Sequence, residues 1–215
     1  PQLGLRLPGE FLPMVSESRF EIELGNWVLA TAVAQLDSWC QAGFATPMSV
    51  NISARHLAHP DFVPTLKTVL DAHPRVNAGL LQLEVLETAS LGDLKRIAAI
   101  MEECNKLGVS FAIDDFGIGY GAVNSLRSLP VRSIKIDRSF IHNMLDDDDD
   151  LATVQGVIGL AAAFHREVIA EGVETLRHCQ ALLKLGCHQV QGHGIARPMP
   201  AAHMQVWMQE HAHRH

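Results

Sequence analysis

A parallel α/β fold is the class this sequence predicts, and two observations carry the prediction. Helix-period and strand-like stretches alternate along the chain about six times, and no hairpin turn signal joins one strand to the next. Strands that never return directly run parallel, with the intervening helices as crossovers. At 215 residues the choice lies between a (β/α) barrel and a doubly wound sheet.

Each element has its own signal. Residues 18–43 repeat apolar side chains at helical spacing, and Gly43 stands where a C-terminal stop belongs. A strand follows over 48–53, "MSVNIS", then a helix over 60–73 and a strand over 80–87, "LLQLEVLE". The helix at 91–108 ends on Gly108, and 109–116, "VSFAIDDF", is the next strand. A glycine loop leads to a short helix at 122–129 and the strand 132–137, "RSIKID". Residues 146–165 form a helix whose opening run of aspartates complements the positive end of the helix dipole. Strand 167–173, helix 175–186, strand 187–192 and a helix after Pro200 complete the series.

Composition narrows the function classes. A net charge of −7 argues against a DNA or RNA polymer as partner, because such binding relies on basic patches that neutralise phosphates. Cys40, Cys104, Cys179 and Cys187 show no C-x-x-C spacing, as expected of reduced thiols in the cytoplasm. The apolar run "VIGLAAAF" is too short for a membrane span, and the first residues do not resemble a signal peptide. The expectation is a cytoplasmic domain that makes no membrane contact itself, whatever anchors its parent protein.

Polar residues interrupt the apolar runs at the strand ends: Asn51, Glu84 with Glu87, Asp114 with Asp115, Lys135 with Asp137, Glu171 with Glu174, and Gln191. Parallel α/β proteins bind ligands at that edge, and in a barrel all these ends converge on one face. Carboxylates and an amide, with no His or Cys among them, form a hard oxygen set suited to magnesium or manganese. Two such ions bridged by a carboxylate would polarise a phosphate and activate a water, so the residues point to metal-assisted hydrolysis of a phosphate ester. The loop offers a competing reading, since Gly117, Gly119 and Ala122 fit G-x-G-x-x-A with Asp137 about 20 residues on. Two aspartates just before the turn would repel a pyrophosphate, and a purely structural turn also remains open. The histidines share no ligand spacing; His193 alone follows a site strand, and His211, His213 and His215 belong to a polar tail.

The segments "VNIS", "LEVLET", "IDDFGIGYG", "IKIDRSF", "AEGVET" and "QGHGIARPMP", in this order, resemble the signature of EAL domains, bacterial phosphodiesterases of cyclic di-GMP. The resemblance implies a single domain over 1–215, matched over 1–200, with 201–215 as a C-terminal helix and His-rich tail. It implies a modified TIM (β/α) barrel that opens cyclic di-GMP to linear pGpG with two Mg2+ or Mn2+ ions. Asn51, Glu84 and Asp114 match ligands of the first metal; Asp114 would bridge to the second, with Asp115 and Glu171 completing the site. Lys135 matches the lysine that orients the attacking water or stabilises phosphate charge, so Lys135, Glu171 and Asp115 are the expected catalytic residues. Glu174, Gln191 and Pro198 match supporting or substrate-binding positions, and Glu87 matches the anchor of the loop built from Phe116, Gly117, Gly119 and Tyr120. That loop belongs to the family's dimerisation region, so the resemblance also implies a homodimer and an upstream sensory or GGDEF domain.

Three departures accompany the resemblance. The chain contains no Glu-Ala-Leu stretch, the first-strand motif whose glutamate is a metal ligand, nor the ligand-contacting arginine after it. It opens at "PQLGLRLPGEFLP", which resembles the family downstream of that strand, so the first strand is expected to be missing and activity to require it. Leu86 stands where the family usually has threonine, and Gly121 and Ala122 stand where it usually has serines, removing a hydrogen-bond partner for Glu87. The alternative reading is a degenerate receptor that binds cyclic di-GMP without hydrolysis and signals to a partner; a ligand-free interaction module is the third.

Overall fold

A computed structural model describes residues 6–16, 18–87, 94–118 and 122–211. Six strands form one sheet: β1 (Met48–Asn51), β2 (Leu81–Leu86), β3 (Ser110–Phe116), β4 (Ser133–Ile136), β5 (Glu167–Ala170) and β6 (Gln189–Val190). Each pairs in parallel with the next in chain order, so the sheet reads β1-β2-β3-β4-β5-β6. A doubly wound sheet would reverse direction at a switch point. Unbroken sequential order decides for the barrel, here a partial one whose β1 and β6 edges have no further strand partner among the described residues.

The helices are α1 (Pro8–Val15), α2 (Arg19–Gln41), α3 (Ala54–Leu57), α4 (Phe62–Asp71), α5 (Leu94–Lys106), α6 (Ala122–Ser128), α7 (Arg138–Asn143), α8 (Asp148–Ala163), α9 (Leu176–Lys184) and α10 (Ala201–His211). The expected stops hold, with left-handed backbone at Gly43 (φ 81) and Gly108 (φ 97). In the aspartate run, the Asp147 side chain caps α8 by accepting from the N–H groups of Asp149 and Asp150. Three helices depart from the sequence expectation. α3 and α7 are single short turns made possible by caps, Ser53 accepting from His56 N–H and Asp137 from Ser139 N–H. α1 begins with a proline, buries no residue, and at eight residues is too short to show a clear period.

Strand alternation divides the sheet into two faces. One side carries Val50, Leu83, Val85, Phe111, Ile113, Ile134 and Ile136, all 5% exposed or less, packed in one core with Leu29, Leu36, Leu66, Ile97 and Met101 of the helices. Burying each such side chain stabilises the fold by roughly 1.5–3 kcal/mol. The other side, toward the barrel interior, carries the polar series Asn51, Glu84, Asp114 and Lys135. Away from it, an ion pair between the buried Asp37 and the exposed Arg75 ties α2 to the segment before β2. Asp37 accepts from Arg75 at 3.0 and 2.9 Å and from Gln41 at 3.3 Å, with His73 3.3 Å away. The Arg75 hydrogen bonds hold the Asp37 carboxyl below the usual range. The cysteines are free, and burial pushes the Cys104 thiol up to about 12, which makes it inert. Among the described residues no helix is long and apolar enough to cross a membrane.

Candidate functional site

Lys135 is the centre of the polar face. β4 is buried along its whole length, and Lys135 is 3% exposed. Its ammonium lies 2.5 Å from Glu171 Oε1, 2.8 Å from Glu84 Oε2 and 3.2 Å from Asp114 Oδ1. These partners come from the C-terminal ends of β2 and β3 and from just past β5, where parallel strands deliver side chains to one mouth. Burial by itself would lower the lysine's pKa. Hydrogen bonds to Glu171 and Glu84 outweigh it, and the net shift is upward, so the ammonium stays charged.

The adjacent aspartates pose a geometric problem. Neighbours on a regular strand point to opposite faces, so only one of Asp114 and Asp115 should reach the site. The β3–β4 register shifts between Ile113 and Phe116, and Asp115 takes a left-handed backbone, φ 53. Aspartate tolerates this conformation better than most side chains. With alternation broken at this bulge, Asp114, Asp115 and Glu171 offer carboxylate oxygens that all lie within 4.8 Å of one another. Burial, then the charge of Asp114 and a hydrogen bond with Asp137, push Asp115 up to about 6. Burial likewise raises Glu171 against the opposing pull of Lys135.

One cation therefore faces four carboxylates: Glu84, Asp114, Asp115 and Glu171. Hard oxygen donors in excess of their counter-charge fit a divalent ion of the magnesium and manganese kind. Burial raises Asp115 and Glu171, and the neighbouring charge of Asp114 adds to it in both.

Asp137 joins this group although only its place at a strand end marked it in the sequence. Burial would raise its carboxyl, but the Ser139 hydroxyl and N–H donate to it, and its pKa falls below the usual range. A hydrogen bond between the two carboxyls acts in opposite directions, raising Asp115 and lowering Asp137. Its place two residues after Lys135, just past the end of β4, was the signal available.

The remaining expected residues divide. Glu87 is buried; its Oε2 accepts from Gly117 N–H at 2.8 Å and its own N–H donates to the Asp114 carbonyl at 2.9 Å. It therefore pins the start of the glycine loop beside the carboxylates. A phosphate cradle would need that Gly117 N–H, so the dinucleotide reading of the loop fails here. Gly117 has φ 108, and a Cβ there would sit 3.1 Å from the Phe140 ring. Phe116, named with the loop, is the last residue of β3, where the strand over 109–116 was expected to end, and at 1% exposed it is a core side chain. Gly119, Tyr120, Gly121 and the Ala122 side chain lie outside the described residues.

Asn51 is exposed at the end of β1, in register with Glu84, and Leu86 is 42% exposed in register with Asp114. Glu174 is 3.7 Å from His142. Gln191 holds the β5–β6 rim through its backbone, donating to Ala170 and accepting from Val173, and Pro198 is exposed on the way to α10. Among the described residues no hydrogen bond joins Asn51, Glu174, Gln191 or Pro198 to the Lys135 network.

Comparison with known proteins gives this mouth a context. A family model described as EAL domain matches residues 1–198. The chain is 38% identical over 202 residues to the bifunctional diguanylate cyclase/cyclic di-GMP phosphodiesterase MucR of Pseudomonas aeruginosa, covering 94% of this chain and 29% of that protein. It is 30% identical over 214 residues to the cyclic di-GMP phosphodiesterase PdeR of Escherichia coli, covering 100% of this chain and 32% of that protein. The chain thus spans less than a third of the length of either relative. Among solved structures it is similar to the PaMucR phosphodiesterase in its c-di-GMP complex, with TM-score 0.88, 37% identity, and 95% of this chain and 83% of that chain covered. It is also similar to the EAL enzyme Bd1971 in its cAMP- and cyclic-di-GMP-bound form, with TM-score 0.90, 30% identity, and 97% and 57% covered.

Proposed function

This chain belongs to the EAL domain family, and from that membership we propose that it is a single domain over 1–215 that hydrolyses cyclic di-GMP to linear pGpG with Mg2+ or Mn2+. The observation that carries the reading is the convergence of Asp114, Asp115 and Glu171 within 4.8 Å, beside a buried lysine, at the C-terminal mouth of a parallel barrel. Relatives named as cyclic di-GMP phosphodiesterases support the substrate.

Asp114, Asp115 and Glu171, with Glu84 and Asn51, are the residues that would hold the divalent ions. Ions bound there supply phosphate polarisation and a more acidic water. Lys135, fixed between Glu171 and Glu84, presents its ammonium to the attacking water or to the phosphate oxygens. Glu171, its carboxyl raised by burial and held against the Lys135 ammonium, is placed to accept a proton from the attacking water. Asp137, capping α7 through Ser139, stands beside Asp115 and keeps that flank of the site in one arrangement. Glu174, Gln191 and Pro198 form the rim on which the nucleotide rests. The domain acts as a cytoplasmic homodimer through the glycine-loop region, within a parent that carries sensory or GGDEF segments.

The test is chromatographic assay of cyclic di-GMP turnover, with and without divalent ions, on this chain and on the chain extended upstream of Pro1. Metal-dependent pGpG formation, abolished by Asp114→Asn, is the expected result. Nucleotide binding without turnover at any metal concentration overturns the enzyme and leaves the receptor reading.

A further inference from the structure

We propose that Gln82 and Ser133 are positioning residues for the hydrolytic site, a hydrogen-bonded brace one layer below it that sets the distance between Glu84 and Lys135. The inference rests on the phosphodiesterase reading for its catalytic readout. On three strands the inward position two residues before a site residue is polar: Ser49 before Asn51, Gln82 before Glu84, Ser133 before Lys135. Parallel barrels ordinarily fill such interior layers with branched aliphatic side chains. Here Gln82 Nε2 donates to Ser133 Oγ at 3.0 Å, and Ser49 Oγ donates to Gln82 Oε1 at 3.3 Å.

The brace links strands that are not neighbours. β2 and β4 both pair with β3, and the Gln82 amide reaches across it to a serine that is 0% exposed. Ala112 makes this reach possible. It is the β3 residue in register with both Glu84 and Ser133, and its methyl leaves space on the inward face. A buried hydroxyl and a half-buried carboxamide cost stability unless they pair, whereas an aliphatic pair would fill the layer without that cost. What the polar pair adds is direction: a hydrogen bond fixes separation and angle where an apolar contact leaves both loose. The layer above needs that definition, because one ammonium must reach Glu84 at 2.8 Å, Asp114 at 3.2 Å and Glu171 at 2.5 Å together. Small misplacement of a reacting group is costly, up to about 100-fold for 1 Å.

Gln82→Met has nearly the same length and cannot bond; Ser133→Ala removes the partner; the double variant closes the cycle. The expected result is that each single change lowers kcat about tenfold with KM for cyclic di-GMP unchanged. The double variant should lose no more than either single. In parallel, the 15N signal of the Lys135 ammonium, recorded without nucleotide, should move or broaden in both singles while near-ultraviolet dichroism stays native. Unchanged kcat and an unchanged Lys135 signal overturn the brace, and so do additive losses in the double variant. Absence of turnover in the unaltered protein sinks the phosphodiesterase reading instead, and the Lys135 signal then decides the brace alone.

Discussion

Asp37 and Lys135 are both buried ions with several charged or polar partners, yet their surroundings end with opposite balances of charge. Around Asp37, one carboxylate meets the Arg75 guanidinium, the Gln41 amide and His73, and its pKa falls. Around Lys135, one ammonium meets Glu84, Asp114 and Glu171, with Asp115 beside them, and the carboxyls of Asp115 and Glu171 rise. The first arrangement satisfies itself and joins two parts of the fold. The second carries negative charge that only a further cation would balance. A buried ion is thus structural or functional according to whether its neighbours close the local charge.

The largest effect separating the two regions should come from Lys135→Ala. It leaves Glu84, Asp114 and Glu171 facing one another with no cation, and breaking such a buried group costs about 3–5 kcal/mol. Urea denaturation measures the loss, and saturating Mg2+ should recover part of it. A loss under about 1 kcal/mol would mean that the ammonium is not the counter-charge assigned here. Turnover in the surviving folded fraction should fall far more than nucleotide affinity.

Asp37→Asn should have a smaller effect of a different kind. An amide keeps one hydrogen bond to Arg75 but loses the ionic pairing, so the thermal midpoint should drop by a few degrees while turnover of folded protein stays unchanged. Loss of activity at full folding would place the clamp in communication with the mouth and break the division between the regions.

The smallest difference is in pH dependence. An unfolded aspartate titrates near 4, whereas Asp115 in the fold titrates at about 6. Between these values the native state binds more protons than the unfolded chain, so this group's contribution declines as pH rises from about 4 to about 6. Asp37, shifted downward, behaves oppositely: its contribution is present above about 4 and is lost as pH falls through its lowered native value. Asp115→Asn, or saturating Mg2+, should flatten the first slope and leave the second. Denaturation midpoints across pH 3–7 (a range of roughly one unit either side of the window) read both. A persistent slope in Asp115→Asn would assign it to another group.

Much of the site could be read from the chain. Glu84, Asp114, Lys135 and Glu171 lie at strand ends because each closes a short apolar run, and parallel connectivity sends such ends to one face. Phe116 closes β3 where the strand over 109–116 was expected to end; that its side chain belongs to the core rather than to the adjoining loop depends on packing, which linear order does not show. α3 and α7 escaped notice because a single capped turn is too short to show a period.

Linear order and residue chemistry by themselves determined the parallel α/β class, the helix stops at Gly43 and Gly108, and a hard oxygen set at the strand ends. Those properties are local, or follow from alternation along one strand. Periodicity left barrel and doubly wound sheet open, and the motifs' resemblance pointed to the barrel; tertiary structure alone decided the strand register, the left-handed turn at Asp115 that brings two neighbouring carboxylates to one side, and the passage of the Gln82–Ser133 bond over Ala112. Each of these depends on which strand lies next to which and in what register. Period-2 patterning is blind to that, because it reads the same for every pairing partner.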